Sequence, residues 1–256
     1  MQHSNKTALA LAWNFFKGNY ALNFAVVAIL IVLNILGMLP IIGMLFIFGY
    51  SILELSVQIF FGRRVSEVTT EEDMQQVAAQ TKIGEFLTTY LPQAAGAFLA
   101  IFLLTLVVAA LFGVLFSISG GISNGMEMMS QSGAAMEAQM GQVLFVVGLP
   151  SLLFILLLAV LFYFFPAVMG RVIKSEDFVS AFKSIFLIFA PSLWKSTFNK
   201  EYFLLILVWS VIVTIAVVAI MLMMSTIVLI PVALILAYLL SLYNAAVYVF
   251  AEELAR

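Results

Sequence analysis

Four runs of this chain, 96–117, 142–165, 202–224 and 226–250, contain no Asp, Glu, Lys, Arg or His at all. Each exceeds the roughly 20 apolar residues that a helix needs to cross a hydrocarbon core about 30 Å thick. Two further apolar stretches, 21–38 and 41–62, are separated only by Leu39-Pro40 and read as a tight helical hairpin. Composition points the same way, with 64% hydrophobic and 9% charged residues, against about 45–50% and about 25% in a soluble domain. No water-soluble fold can hide that much apolar surface. The expected fold is an all-α polytopic membrane helix bundle with about six transmembrane helices, forming a single transmembrane domain over 1–256. No small-x-small cleavage site follows the first apolar run, which leads straight into the second, so that run is expected to stay as a span and not to be removed as a signal peptide.

Basic residues orient such a bundle, because cytoplasmic loops are enriched in Lys and Arg. Lys6 and Lys17 precede the first span, and Arg63, Arg64 and Lys82 lie between the second and third. Arg171, Lys174, Lys183, Lys195 and Lys200 lie between the fourth and fifth, and Arg256 follows the sixth. All eleven fall on one side, whereas the opposite loops near 39–40, 118–141 and 225 carry only Glu127 and Glu137. Both termini are expected on the cytoplasmic side of the membrane, in an N-in/C-in arrangement.

One unit recurs three times, over about 5–62, 72–170 and 176–250: a partly polar cytoplasmic segment, a tyrosine at the membrane edge (Tyr20, Tyr90, Tyr202), then two spans. Amphipathic tyrosine rings favour the headgroup layer. Gly62-Arg63-Arg64-Val65 closes the second span as Gly170-Arg171-Val172-Ile173 closes the fourth, and Glu72-Asp73 and Glu176-Asp177 open the polar segments that follow. Acidic residues suit a helix N-terminus, with Thr69, Thr70 and Ser175 as candidate caps. The cytoplasmic amphipathic segments are about 5–18, 72–86 and 176–190. The third is the clearest, with Phe178, Phe182, Ile185, Phe186 and Phe189 at helical spacing and Ser180, Lys183 and Ser184 opposite, so it is expected to lie in the inner membrane interface. Leu9, Trp13 and Phe16 give the first a similar stripe. Every unit enters and leaves on one side, which makes the repeats parallel and not inverted.

The stretch FPAVMGRVIKSEDFVSAFKSIFLIFAPSLW, from Phe165 to Trp194, ends a span at a proline and continues through a charged turn into an amphipathic helix and a tryptophan before the next span. In this it resembles the small bacterial inner-membrane proteins related to the membrane domain attached to some glycerophosphodiester phosphodiesterases. The resemblance is carried mainly by the last third of the chain. It implies a six-helix bundle in a bacterial cytoplasmic membrane and supplies no catalytic residue to carry over. None of these 256 residues reads as the soluble phosphodiesterase domain, so no hydrolase activity is expected.

Within the predicted spans Glu54 is the one ionisable acidic or basic side chain. A carboxyl at that depth is costly and by default marks an ion path or a buried polar contact. Tyr50, Glu54 and Gln58, spaced by four, form one polar stripe on the second span. Asn23 and Asn34 share a face of the first, and Ser241, Asn244 and Tyr248 make a comparable stripe on the sixth. The candidate intramembrane polar site is therefore Glu54 with Tyr50, Gln58, Asn34 and Asn244. Two readings stand side by side. These groups either are interhelical hydrogen bonds holding the bundle together, at about 0.6 kcal/mol each, or converge on a track for protons or small cations.

Ten of the thirteen methionines map to the outer side. Thioethers are soft ligands suited to Cu(I), but that face has no His or Cys, and Met126, Met129, Met136 and Met140 fall on one helical stripe, as an amphipathic helix would place them. No metal site and no cofactor are expected. Gly120-Gly121 and Gly125 lack the preceding strand and the following Lys-Ser/Thr of a phosphate loop. His3 is the sole histidine, cysteine is absent, and no HExxH or GxSxG motif appears, so no catalytic residue is expected. A net charge of −2 gives no basic field for nucleic acid. The expected partners are the lipid bilayer and other membrane proteins. The leading expectation is a non-enzymatic integral membrane protein acting as a membrane-embedded scaffold or accessory subunit; its rival is a transporter of a small solute, ion or lipid that uses Glu54 as its coupling or binding group.

Overall fold

A computed structural model describes the backbone of residues 2–118 and 134–256, and their side chains apart from those of 118, 134–150 and 227. Met126 and Met129, and the side chains of Met136 and Met140, lie outside the described residues, as do Gly120, Gly121 and Gly125. Among the described residues the chain is helical, with no strand: α1 (Asn5–Gly18), α2 (Tyr20–Leu36), α3 (Gly43–Glu67), α4 (Asp73–Gln80), α5 (Ile83–Thr88), α6 (Leu91–Ile118), α7 (Ala134–Ile173), α8 (Phe178–Phe186), α9 (Pro191–Thr197), α10 (Lys200–Met224) and α11 (Ile230–Leu254). Short 3₁₀ turns cover Leu187–Phe189 and Ile227–Leu229.

Among the described residues five segments are long and apolar enough to cross a membrane: Gly43–Glu67, Ile83–Ser117, Ser151–Ile173, Lys200–Met224 and Ile230–Leu254. The number becomes seven if two bent pairs each count as a span, α1 with α2 at 99° and Phe178–Phe189 with α9 at 71°. This is the architecture of a multi-pass helical membrane protein. Several helices outrun the charge-free windows that announce them. α3 continues past Arg63 and Arg64 to Glu67 because cations suit the negative end of a helix, and α7 starts at Ala134, so Gly141 lies inside a helix and not in a loop. The first hairpin is looser than Leu39-Pro40 suggests. Its connection spans 37–42, and Ile41 turns it with a φ of 68°. Gly37 and Gly43 meet there backbone to backbone, at a distance no Cβ on Gly43 could tolerate.

The Cα positions separate into two compact units, Met1–Ala100 with Phe164–Arg256, and Ile101–Tyr163. In the second, many of the described apolar side chains are exposed, as lipid-facing helices require. Val107, Leu111, Val114, Ile155 and Leu156 are each more than half exposed, and Phe112 packs against Phe154 with ring centroids 4.4 Å apart.

The first unit is packed at one end and open at the other. Its packed end gathers both termini and the segments that carry every Lys and Arg. Phe15 of α1 meets Phe61 of α3 edge-on at 5.2 Å and Phe86 of α5 at 5.3 Å, while Met74 and Ala78 of α4 are fully buried. Arg63 donates to the carbonyls of Ile173 (2.9 Å) and Ser175 and lies 4.8 Å from the Tyr90 ring. Lys174 bridges Glu252 at 2.5 Å and Glu253 at 3.2 Å, and His3 reaches Glu253 at 2.9 Å. Tyr202, the edge tyrosine of the third unit, is fully buried in this core. At the opposite end Met38, Ile41, Met44, Met221 and Val228 are all mostly exposed.

Close crossings rest on single glycines. A Cβ on Gly96 or Gly170 would collide with the carbonyl of Phe178 or Tyr248, and one on Gly18 would come within 2.6 Å of the Gln75 carbonyl. Side chains cap the starts of α1, α2, α8 and α10, and a similar exchange lies just ahead of α4. Thr70 and Asp73 exchange bonds (Asp73 N to Thr70 Oγ1 3.3 Å, Thr70 N to Asp73 Oδ2 2.9 Å), and Asp177 and Ser180 form the corresponding box at α8. Ser175, expected as a cap, instead donates to Val172 O and finishes α7. Asn19 and Asn199 hold equivalent places in the first and third repeat units. Each caps a long apolar helix, accepting from Leu22 N and Tyr202 N, and each donates its amide to a distant carbonyl, Ala78 O and Leu254 O.

Two of the amphipathic segments, α1 and α8, have two apolar faces where one was expected. In α8 Ala181 and Ile185 pack inward, while Phe178, Phe182 and Phe186 form a row of neighbouring rings facing away from the core. In α1 Leu9 and Trp13 face outward but Phe16, expected beside them, is buried.

Candidate functional site

Glu54 sits on α3 eleven residues from Gly43 and nine from Arg63, or roughly 16 Å and 13 Å of helix rise. It is therefore near mid-span. Among the described residues it borders an open cavity of about 160 Å³ lined by α2, α3 and α11 and touched by Met224 at the end of α10. Asn34, Tyr50, Glu54, Tyr238 and Ser241 supply its polar lining, and Val27, Leu30, Ile31, Val57, Leu234 and Ala237 the apolar remainder.

The polar side chains of three helices gather at one level of the bundle. Tyr50, one turn before Glu54, and Ser241 from α11 line the cavity beside the Glu54 carboxyl. Ser241 Oγ in turn accepts from Gln58 Nε2 at 2.9 Å. Beyond that contact toward the basic end the bundle is closed, since Val57, Ile59, Phe60, Phe61, Leu242 and Ala245 are at most 1% exposed. Tyr238 adds a second seal by donating its hydroxyl to Asn23 Oδ1 at 2.6 Å. Toward the other end the lining reaches Asn34 and Met224, both exposed to the surroundings. The cavity thus runs from mid-span toward the end that lacks Lys and Arg.

Of the predicted set, Glu54, Tyr50 and Asn34 line the cavity together. Gln58 lies one turn deeper as part of the floor, and Asn244 turns away to accept from Trp209 Nε1 of α10 at 2.8 Å. Asn23 shares a face with Asn34 but is fully buried three turns below it, donating to the carbonyls of Phe15, Phe16 and Asn19. Tyr248 packs its ring against Trp209 and Phe165. Tyr238, which the sequence reading missed, lies three residues before Ser241 and extends its stripe back by one turn; that spacing was the available signal.

A lone carboxyl with hydroxyl neighbours and no basic side chain in the lining can hold a proton or a cation. Among the described residues no group of three or more His, Cys, Asp or Glu stands together as a metal site. Comparison with protein-family models, with curated proteins and with solved structures finds no match to this chain.

Proposed function

We propose that this protein binds a small solute at Glu54 and carries it across a membrane. The observation that supports this reading is the open volume beside Glu54. An interhelical hydrogen bond that served only to hold the bundle together would be packed around, as Asn23 is, and would not border about 160 Å³ of free space. The surroundings proposed for it are a bacterial cytoplasmic membrane crossed six times with both termini inside. α2 then serves as the first span and α1, α4, α5, α8 and α9 lie at the inner surface, in keeping with the one-sided Lys and Arg.

The test is flux. Wild type and Glu54→Gln, reconstituted at equal abundance into liposomes, are challenged with a panel of alkylamines, amino acids, sugars, Na⁺ and K⁺. A flux present in wild type and lost in the variant supports transport; identical behaviour of the two across the panel overturns it.

A second reading, as a scaffold or accessory subunit, draws on the outward row of Phe178, Phe182 and Phe186 on α8. Under it, Phe182→Glu abolishes association with membrane proteins in a crosslink-and-pulldown from native membranes while Glu54→Gln leaves every partner in place.

A further inference from the structure

We propose that the ligand of the Glu54 cavity is a small organic ammonium ion of about six non-hydrogen atoms, taken up in exchange for the proton that Glu54 carries when the cavity is empty. This rests on the reading of Glu54 as a solute-binding group and names the solute's chemistry. The first consideration is charge. Every other group lining the cavity is uncharged, and a bare carboxylate at mid-span is strongly disfavoured. Its charge is therefore neutralised either by a proton or by a positive ligand, and the two compete for the same oxygens.

The lining then selects among cations. A bare metal ion of the Mg²⁺ or Ca²⁺ kind needs about six or more oxygen ligands. Away from the helix ends the carbonyls of α2, α3 and α11 are spent on their own helical bonds, which leaves mainly one carboxyl, the hydroxyls and the amide and carbonyl of Asn34. An ammonium group is satisfied by three acceptors at most, and tyrosine rings such as those of Tyr50 and Tyr238 attract it. The apolar wall of Val27, Leu30, Ile31 and Val57 matches an alkyl body and repels a hydrated ion. Size sets the limit, because the cavity's volume of about 160 Å³ is close to that of a roughly 150 Å³ engineered cavity that admits benzene.

The exchange balances. R–NH₃⁺ enters from the end marked by Asn34 and Met224, the O–H bond of the Glu54 carboxyl breaks, the proton leaves to water by the same mouth, and the carboxylate pairs with the ammonium. Charge in the cavity is unchanged. Gln58–Ser241 and Asn23–Tyr238 close the other end while this happens.

The experiment uses the full-length protein in nanodiscs, titrated with propylammonium chloride, 1-propanol and NaCl in weakly buffered solution with a pH-reporting dye. The expected result is saturable propylammonium binding with release of one proton per ion. Apparent affinity should tighten about tenfold per pH unit over the range in which Glu54 is protonated, and neither 1-propanol nor Na⁺ should release protons. In Glu54→Gln both binding and proton release are lost; in Tyr50→Phe binding weakens several-fold and the stoichiometry of one is kept. A measurement on wild type alone removes dependence on the variants' folding: dicyclohexylcarbodiimide, which modifies protonated carboxyls in apolar surroundings, labels Glu54, and propylammonium but not 1-propanol protects it. Propylammonium binding without proton release, equal proton release by Na⁺, or equal protection by 1-propanol overturns the ammonium inference. If a neutral solute binds wild type and not Glu54→Gln, the solute site stands and the ammonium assignment falls. If nothing in the wider panel distinguishes the two proteins, both fall.

Discussion

The hydroxyl of Tyr238 on α11 donates to Asn23 Oδ1 on α2 at 2.6 Å, joining two helices far apart in sequence directly beneath the Glu54 cavity. Both side chains are buried. Asn23 is braced from below, its amide reaching three carbonyls where α1 turns into α2, so the pair ties the bend between those helices to α11. Tyr238→Phe leaves Asn23 Oδ1 without its donor and should lower stability by about 1 kcal/mol, within the range found for interhelical bonds in membranes. Asn23→Ala removes the donors as well and should cost more, about 2–3 kcal/mol. Thermal unfolding in detergent, followed by size-exclusion recovery, ranks the two; equal losses would show that the Tyr238 bond carries the whole effect.

Gly96 and Gly170 stand where helix backbones touch. Each Cβ would strike a main-chain carbonyl, that of Phe178 or of Tyr248, and a carbonyl inside a helix cannot step aside as a side-chain tip can. Gly96→Ala and Gly170→Ala should each destabilise by about 1–3 kcal/mol. Gly49 and Gly113 are also helical but have nothing within 4 Å of an added Cβ, so alanine there should gain roughly 0.5–1 kcal/mol from reduced chain entropy. The same recovery assay separates the pairs by sign.

How much of this could be read in advance depends on what periodicity carries. Four-residue spacing put Tyr50, Glu54 and Gln58 on one face, and they share it, yet a helical wheel does not say how deep the neighbouring helix closes against that face. Gln58 meets Ser241 below the cavity for that reason. Asn34 and Asn23 show the same limit, one at the mouth and one in the sealed floor. Asn244 meets Trp209 of α10 because α11 touches more than one neighbour and its polar stripe is wide enough to serve both α3 and α10. Charge-free runs located the long apolar helices well and their ends poorly, since Arg63, Arg64 and Glu67 prolong α3 without breaking it. The recurring units were legible as text, but the equivalence of Asn19 and Asn199 was not, because one cap precedes its tyrosine by one residue and the other by three.

Ile41 is a β-branched residue held at a φ of 68° and 98% exposed. A left-handed conformation costs an ordinary L residue about 1–2 kcal/mol, and nothing packs on this side chain to offset it. Ile41→Asn, which tolerates that region, should stabilise the first hairpin by about 1 kcal/mol. Ile41→Gly should gain less, because the unfolded chain becomes more flexible. Unchanged melting in both variants would mean that the turn relaxes to a different backbone without loss.

Asp177 gives α8 a pH-sensitive start. Its carboxylate accepts from Ser180 N at 2.7 Å, and that backbone bond, helped by the Ser180 side chain, holds its pKa below the usual aspartate value. Because the folded state favours the ionised form, the cap's contribution is complete above the ordinary aspartate pKa of about 3.9 and is lost as pH falls through the lower folded value. In wild type the Ser180 amide resonance should therefore titrate below the ordinary aspartate range. Asp177→Asn keeps a capping oxygen and removes the charge, so the same resonance should stay flat with acid. Asp177→Ala should fray the first turn at every pH, releasing Phe178 from the outward row it forms with Phe182 and Phe186. A wild-type amide that does not respond to acid would mean that the Ser180 side chain alone holds the helix start.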